Sequence, residues 1–407
     1  MDKETLRRYL YLSYLEARRH KAKSKSHLRF YQNLEYNLDQ LCDDVYNWNY
    51  KISPSIYFIQ KHPIQREVFA WNFRDRIVHH LIFDCISPYW EKQFIYDSYS
   101  CRKWKWTSKW IERISKFMRA CSENFTKDWW ILKMDIQWYF MSINRDILRK
   151  KNYDVIKNRN NLPWIHPKNP MYILSPIIWD FPDYLIKVIR DIIYNDPTKW
   201  WIFRGVPSDY VWLPKTKSLF YTWENCGLPI WNLTSQLFSN IYLNDFDHFV
   251  KDTLKVKYYW RYVDDFVLIH QDKEYLKGLI PIMRTYLKNT AHLTLHPDKV
   301  YLQPISHWVQ FLWAIIKPYH IYRAKRTISN FNKTLKETDN NPTRSSLDSY
   351  LWLLVHYNHY QLIQKMLSKV NLYDTENISE YALSFLDEEK RYEIIRYRNN
   401  IKSVSKY

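Results

Sequence analysis

Three glycines in 407 residues set the tightest constraint on what this chain can fold into. Glycine is the residue that takes positive φ without a steric penalty and lets two backbones approach closely. An average chain is roughly 7% glycine, so about 28 would be expected at this length. Tryptophan, normally scarce, stands at 20 and can do neither job. A chain so composed should struggle to make its turns.

The remaining composition excludes several classes. At 46% hydrophobic and 25% charged residues the chain is not disordered. Its length suffices for two or three packed units. No run approaches the roughly 18 apolar residues of a membrane span, so no membrane association is expected. The N-terminus, Met1-Asp2-Lys3-Glu4, lacks the apolar stretch of a signal peptide. Five scattered cysteines, none spaced as CxxC, speak against a disulfide framework or zinc site and fit a reducing cytoplasm. Lys plus Arg number 61 against 42 Asp plus Glu, a net charge of +19. Such a charge attracts polyanions, although richness in Lys, Asn, Ile and Tyr also fits an AT-rich genome.

Apolar spacing predicts helices over residues 1 to about 54, with strands from Ile52 to Val68 and further helices over Phe73–Ser87 and Ser108–Ala120. Trp129–Ile136 reads as a strand running into an acid. Residues 150–214, rich in Pro and Asn, read as an insertion with one helix over Asp183–Tyr194. Leu233–Lys251 is strongly periodic, Val256–His270 reads as strand, acidic turn, strand, and Tyr275–Leu287 as a helix. Val309–Ile316 reads as one strand and residues 319–407 as mostly helical. The class is α+β with a helical tail.

The sharpest local signal is Tyr262-Val263-Asp264-Asp265 between two β-rich runs. Adjacent carboxylates at a hairpin tip repel unless a cation lies between them, and oxygen ligands on a rigid turn suit Mg²⁺. A two-metal site has ions roughly 4 Å apart and needs a carboxylate from another element. Asp135 near the end of the 129–136 strand is the candidate, with Ile136 next to it and Phe140 five positions on. For the tetrapeptide alone, an ordinary polar turn is an equal reading.

A strand-borne Asp, an aromatic five later, then a hairpin bearing Asp-Asp: this resembles the palm of a reverse transcriptase. Gly227-Leu228-Pro229-Ile230-Trp231-Asn232-Leu233-Thr234-Ser235-Gln236 resembles the family's motif B in the form found in diversity-generating retroelements, with Trp231 where a glycine belongs. Phe73-Arg74-Asp75-Arg76-Ile77-Val78-His79-His80 resembles the fingers motif, Lys217-Ser218-Leu219-Phe220 the segment before motif B, and Phe311-Leu312-Trp313 the primer grip. The resemblance covers about residues 34–317 and implies a right-hand polymerase: an N-terminal helical extension (1–54), fingers and palm (55–318, palm core about 128–150 and 225–318), and a short helical thumb with tail (319–407).

The resemblance also implies roles. Asp135, Asp264 and Asp265, with the Ile136 carbonyl, would hold two Mg²⁺, with Mn²⁺ as a substitute. Lys299 would protonate the leaving pyrophosphate. Arg66 and Arg74 would contact the triphosphate, since guanidinium forks suit phosphate. Phe140 would exclude a 2′-hydroxyl, and Trp231 and Gln236 would line the nucleotide site. Ile230, where most of the family carries Gln, implies low fidelity opposite template adenine. The implied activity is RNA-directed DNA synthesis from dNTPs on a template RNA and primer, giving error-prone cDNA, with a small basic accessory protein as partner. A retron-like or phage-defence reverse transcriptase is the alternative within the class. A catalytically inactive RNA-binding protein is the alternative outside it.

At several motifs the family carries glycine where this chain carries tryptophan: Trp231, Trp104, Trp106, Trp138, Trp260, Trp308 and Trp313, with Trp48, Trp71, Trp212 and Trp352 similar. UGA codons read as glycine by the host but rendered as tryptophan would account for all of them. Two other readings stay open: a base-stacking surface of Trp among Lys, as at 103–110, and an inactivated enzyme whose glycines drifted.

Overall fold

The computed structural model describes residues 2–19, 21–60, 65–102, 105, 107–157, 182–206, 208, 213–304, 309–311, 314–317, 320–323, 325–355, 360–373 and 378–404. In chain order its first elements are helices α1 (Lys3–Arg18), α2 (Lys25–Gln32) and α3 (Leu34–Tyr46), strands β1 (Ser55–Gln60) and β2 (Arg66–Ala70), helix α4 (Phe73–Gln93), strand β3 (Ser98–Tyr99) and helix α5 (Thr107–Cys121). Next come β4 (Trp130–Ile136), α6 (Tyr139–Ser142), α7 (Arg145–Lys157), α8 (Pro182–Tyr194), β5 (Trp201–Phe203) and α9 (Leu233–His248). They are followed by β6 (Tyr258–Tyr262), β7 (Asp265–His270), α10 (Lys273–Ala291), β8 (Leu295–Pro304), β9 (Val309–Phe311), β10 (Ala314–Lys317) and β11 (His320–Arg323). Helices then dominate to residue 404. No helix among the described residues is long and apolar enough to cross a membrane.

The chain divides into two compact units. The first comprises residues 1–106 and 131–302, the second residues 107–130 and 303–407. The first unit is built around a five-stranded sheet in the order β3-β6-β7-β4-β8. β6 and β7 form a tight hairpin, Tyr258 opposite Ile269 and Tyr262 opposite Asp265. Their aromatic and β-branched residues suit a pleated, covered surface. Helix α9 is buried on almost every side, which explains its lack of a clean polar face. A second sheet, β2-β1-β5, pairs β1 with β2 antiparallel and with β5 in parallel. The N-terminal helices pack in this unit through an aromatic cluster in which Tyr14 meets Phe73 edge-on and His27 stacks beside it.

In the second unit, helices after residue 325 close around Phe331, Leu347, Leu351, Leu354 and Leu367, none of them exposed. A three-stranded sheet, β11-β10-β9, precedes them.

Three expectations change. Helix α4 runs beyond Ser87, through Pro88 to Gln93, because buried Ile86 and Trp90 anchor both sides of the proline. The expected strand over Val309–Ile316 is two antiparallel strands, β9 and β10. Strand β5 within the 150–214 region was invisible to periodicity. It is three residues long and mostly exposed, and its strand character comes from pairing with distant β1.

Imidazole His79 on α4 is buried, its Nδ1 2.7 Å from Thr234 Oγ1 on α9 and its ring against Trp71. Burial pushes its pKa down to about 3. The folded value lies below the unfolded one, near 6.5, so this stabilisation is complete above pH 6.5 and is lost as pH falls towards 3. Denaturant midpoints should therefore fall between pH 7 and pH 5, at on the order of 1 kcal/mol per pH unit below 6.5. A midpoint constant across that range would contradict the assignment.

Candidate active site

The sheet order places β4 between β7 and β8, so three elements distant in sequence deliver their polar residues to one end of the sheet. Asp135 is the penultimate residue of β4 and is mostly buried. Asp264 lies in the β6–β7 turn and Asp265 begins β7, both half-buried. The Ile136 amide donates to the Asp264 carbonyl at 3.3 Å, tying the two acidic segments backbone to backbone. Lys299 reaches in from β8 and ion-pairs with Asp135. Lys133 lies 3.6 Å from Asp265.

These contacts distribute charge unevenly. Asp264 makes no ion pair among the described residues. Burial, then its neighbours Asp135 and Asp265, push its carboxyl up to about 7. Burial raises Asp265 as well, opposed by Lys133. Partial burial works against the Lys299 ammonium, but the bond to Asp135 and the field of Asp265 and Asp264 hold its pKa above the ordinary value. Three carboxylates are thus crowded at one spot, and one of them has no cationic partner. No three acidic, His or Cys side chains among the described residues converge as a ready-made metal cage. The oxygen donors that the three carboxylates offer are nevertheless of the type a hard divalent cation takes.

The hairpin turn is strained and held from behind. Val263 has φ +56°, the sign a two-residue hairpin of type II′ requires at its first position but unusual for a β-branched residue. Arg261, fully buried on β6, donates from Nη1 to the Val263 carbonyl at 2.8 Å. The same guanidinium forks onto Asp247 of α9, Nε to Oδ1 at 2.8 Å and Nη2 to Oδ2 at 2.7 Å. Tyr259 Oη also donates to Asp247, at 2.7 Å. Arg261 Nη1 lies 3.3 Å from Asn240 Oδ1, and the Asn240 amide donates to the Ser100 carbonyl. Sequence reading missed this network. Asp247 stands on a helix that also carries Asp245, Asn240 and Asn244, so nothing in the sequence singles it out.

The motif around Gly227 is stitched to the segment after β4. Gly227 N donates to the Ile143 carbonyl at 2.9 Å, Leu228 N to the Phe140 carbonyl at 2.9 Å, and Arg145 Nε to the Gly227 carbonyl at 3.0 Å. Gly227 has φ +96°, and a Cβ there would lie 2.8 Å from Leu219 Cδ2, so any other residue would be strained. Phe140 on α6 is half-buried against Tyr139. Ile230 packs on the small core of Tyr57, Phe69, Met141 and Leu219. Gln236 lies in the first turn of α9, whose entry is fixed by Asn232 Nδ2 donating to the Phe69 carbonyl at 3.0 Å. A cavity of about 200 Å³ opens beside Trp138, Met141 and Ser142, with Lys215, Ser218 and Tyr221 opposite.

The basic candidates separate. Arg66 starts β2 and lies within electrostatic reach of Asp264. Arg74 is committed elsewhere: it ion-pairs with Asp44, donates to the Lys51 carbonyl and stacks on Tyr50. Arg76, half-buried, makes no ion pair among the described residues, and burial lowers its pKa. Phe311 ends β9, while Leu312 and Trp313 lie outside the described residues, as do Trp104, Trp106, Trp212 and Trp308.

No family model matches the chain. Among curated proteins it is similar to Protein YkfC of Escherichia coli (strain K12), 21% identical over 354 residues spanning 78% of this chain and 80% of that protein. Among solved structures it is similar to the telomerase of Candida albicans in complex with a TWJ fragment of telomeric RNA, at 14% identity and TM-score 0.44, covering 84% of this chain and 57% of that one. The telomerase of Candida tropicalis in the corresponding complex gives 12% identity and TM-score 0.43, covering 83% and 57%. The chain therefore spans well under two thirds of the telomerase chains it matches.

Removing Asp247 would leave Arg261 buried without a counter-charge, which costs about 3–5 kcal/mol; urea unfolding of Asp247→Asn should show a loss of that order. Arg261→Lys keeps the charge but loses the fork, so it should release the Val263 turn. In a nucleotide-transfer assay this positioning role predicts a fall in kcat with little change in KM. Equal effects on both constants would indicate general damage instead.

Proposed function

We propose that the chain is an RNA-directed DNA polymerase that joins deoxynucleotides to a primer 3′-hydroxyl. The observation that carries this reading is the meeting of Asp135 with the Asp264-Asp265 hairpin, with Lys299 on Asp135 and no ion pair on Asp264 among the described residues. Three carboxylates and the Ile136 carbonyl would hold two Mg²⁺, which when bound supply charge neutralisation for an in-line attack on the α-phosphate. The chain's own residues do the remaining work. Asp135, Asp264 and Asp265 orient the site on rigid strands. Lys299, its ammonium form favoured by the surrounding acids, holds a proton next to the site that it can pass to departing pyrophosphate. Arg66 offers a fork to the triphosphate. Arg76, without an acid partner among the described residues, fits that role better than Arg74, which Asp44 already occupies.

Phe140 and Ile230 favour deoxynucleotides and loose checking of the new base pair in this reading. Ile230 faces an apolar cluster and offers no hydrogen bond to a base. The net charge of +19 supplies attraction for template and primer. A small basic accessory protein and the diversity-generating type of element follow from the motif B resemblance, and the palm, fingers and thumb assignment from the same source.

The full-length protein should extend a primer on an RNA template with Mg²⁺ and dNTPs, and Asp264→Ala should reduce incorporation by at least about a thousandfold, the scale of losing a main electrostatic element. Absence of incorporation by a folded, RNA-binding protein would favour the inactive RNA-binding alternative. Ile230→Gln should lower misincorporation opposite template adenine, read by sequencing the products; an unchanged error spectrum would remove that role from Ile230.

A further inference from the structure

We propose that positions 48, 138 and 231 are glycine in the working protein, encoded by UGA codons that its host reads as glycine. Backbone geometry and composition carry this assignment, independently of the polymerase reading. Trp48, Trp138 and Trp231 have φ of 63°, 50° and 71°. Every other tryptophan among the described residues has a negative φ. The left-handed region is costly for any residue with a Cβ, and outside Asn, Asp and His it is seldom occupied except by glycine.

Each position is one where chain geometry favours glycine, although the chain also holds Val263, Phe125 and Lys255 at positive φ. Trp48 stands just past the cap of α3. Its amide donates to the Val45 carbonyl at 3.3 Å, and the Asn49 amide donates to the Asp44 carbonyl at 2.8 Å. These two bonds define the Schellman helix ending, whose left-handed residue is usually glycine. Trp138 is the left-handed residue between β4 and α6, φ 50° and ψ 39°, its carbonyl accepting from Met141 and Ser142. Trp231 is the second residue of the turn before α9, with a φ close to that of the glycine position in a type II turn.

The three side chains stand partly in solvent, although that of Trp48 also meets Tyr184 edge-on at 5.6 Å. The three indoles are 44%, 42% and 49% exposed. Exposure alone does not set them apart, since Trp200 and Trp223 are more exposed at negative φ; the left-handed backbone does. Trp71 and Trp260, grouped with the glycine-like positions by sequence, are buried with negative φ, so the backbone supplies no reason for glycine there. At 138 the exchange would also enlarge the cavity that Trp138 lines with Met141 and Lys215, giving a substrate closer access to the backbone beside Phe140.

Two measurements test this. Peptide mass spectrometry of the full-length protein from its own host should show glycine at 48, 138 and 231, with UGA at those codons. Tryptophan in the peptides, or UGG in the gene, overturns the proposal. Separately, the full chain with glycine should be compared with the chain carrying alanine at each position. Alanine normally wins such a comparison by restricting the unfolded state. At a truly left-handed position the order inverts, and the folding equilibrium constant should be about fivefold or more higher for Trp48→Gly, Trp138→Gly or Trp231→Gly than for the matching alanine variant. Alanine variants as stable as the glycine variants would overturn the geometric basis. Neither readout requires polymerase activity, so failure here is distinct from failure of the proposed function.

Discussion

The buried pair of Arg261 and Asp247 is the interaction on which the acidic centre depends. Two fully buried charges are expensive to desolvate, and their forked geometry with Tyr259 and Asn240 offsets that cost by satisfying most of the donors and acceptors involved. What this network supports is a strained turn. Without the bond from Arg261 to the Val263 carbonyl, a β-branched residue at positive φ would relax, and the carboxylate of Asp264 would move with it. The pair therefore joins α9 to the hairpin and converts sheet rigidity into placement of the acids.

In front of that support the charges are left unbalanced by design of the topology. Sheet order puts β4 between β7 and β8, so Asp135 meets Asp265 on one side and Lys299 on the other. Lysines cover Asp135 and Asp265, and Asp264 has none among the described residues. Crowded, partly desolvated carboxylates are poor for stability and good for capturing a divalent cation. Around them Gly227, at φ +96° with Leu219 against its α-carbon, lets the loop before α9 lie flat on the segment after β4.

Much of this was legible in the sequence because it is local. The β6–β7 hairpin announces itself as two β-rich runs around two acids, and the strand before Asp135 and the helix from Leu233 follow their periodicities. Less was legible where structure comes from distant partners. The strand character of Trp201–Phe203 exists only through β1. The commitment of Arg74 to Asp44, where Arg76 has no such acid among the described residues, depends on where α3 packs, which no spacing within Phe73–His80 records.

The sequence by itself determined the chemistry available: three carboxylates in strand and turn contexts, a strongly basic chain, and a shortage of glycine that left the turns to unsuitable residues. Only the tertiary structure decided which charges meet. Side-chain type and local periodicity are properties of short segments, whereas sheet order and burial set the distances and the dielectric that govern electrostatic coupling. The same division applies to the tryptophans. Their number was plain in the sequence, but backbone torsions were needed to separate Trp48, Trp138 and Trp231, held at positive φ by the chain around them, from the other described tryptophans.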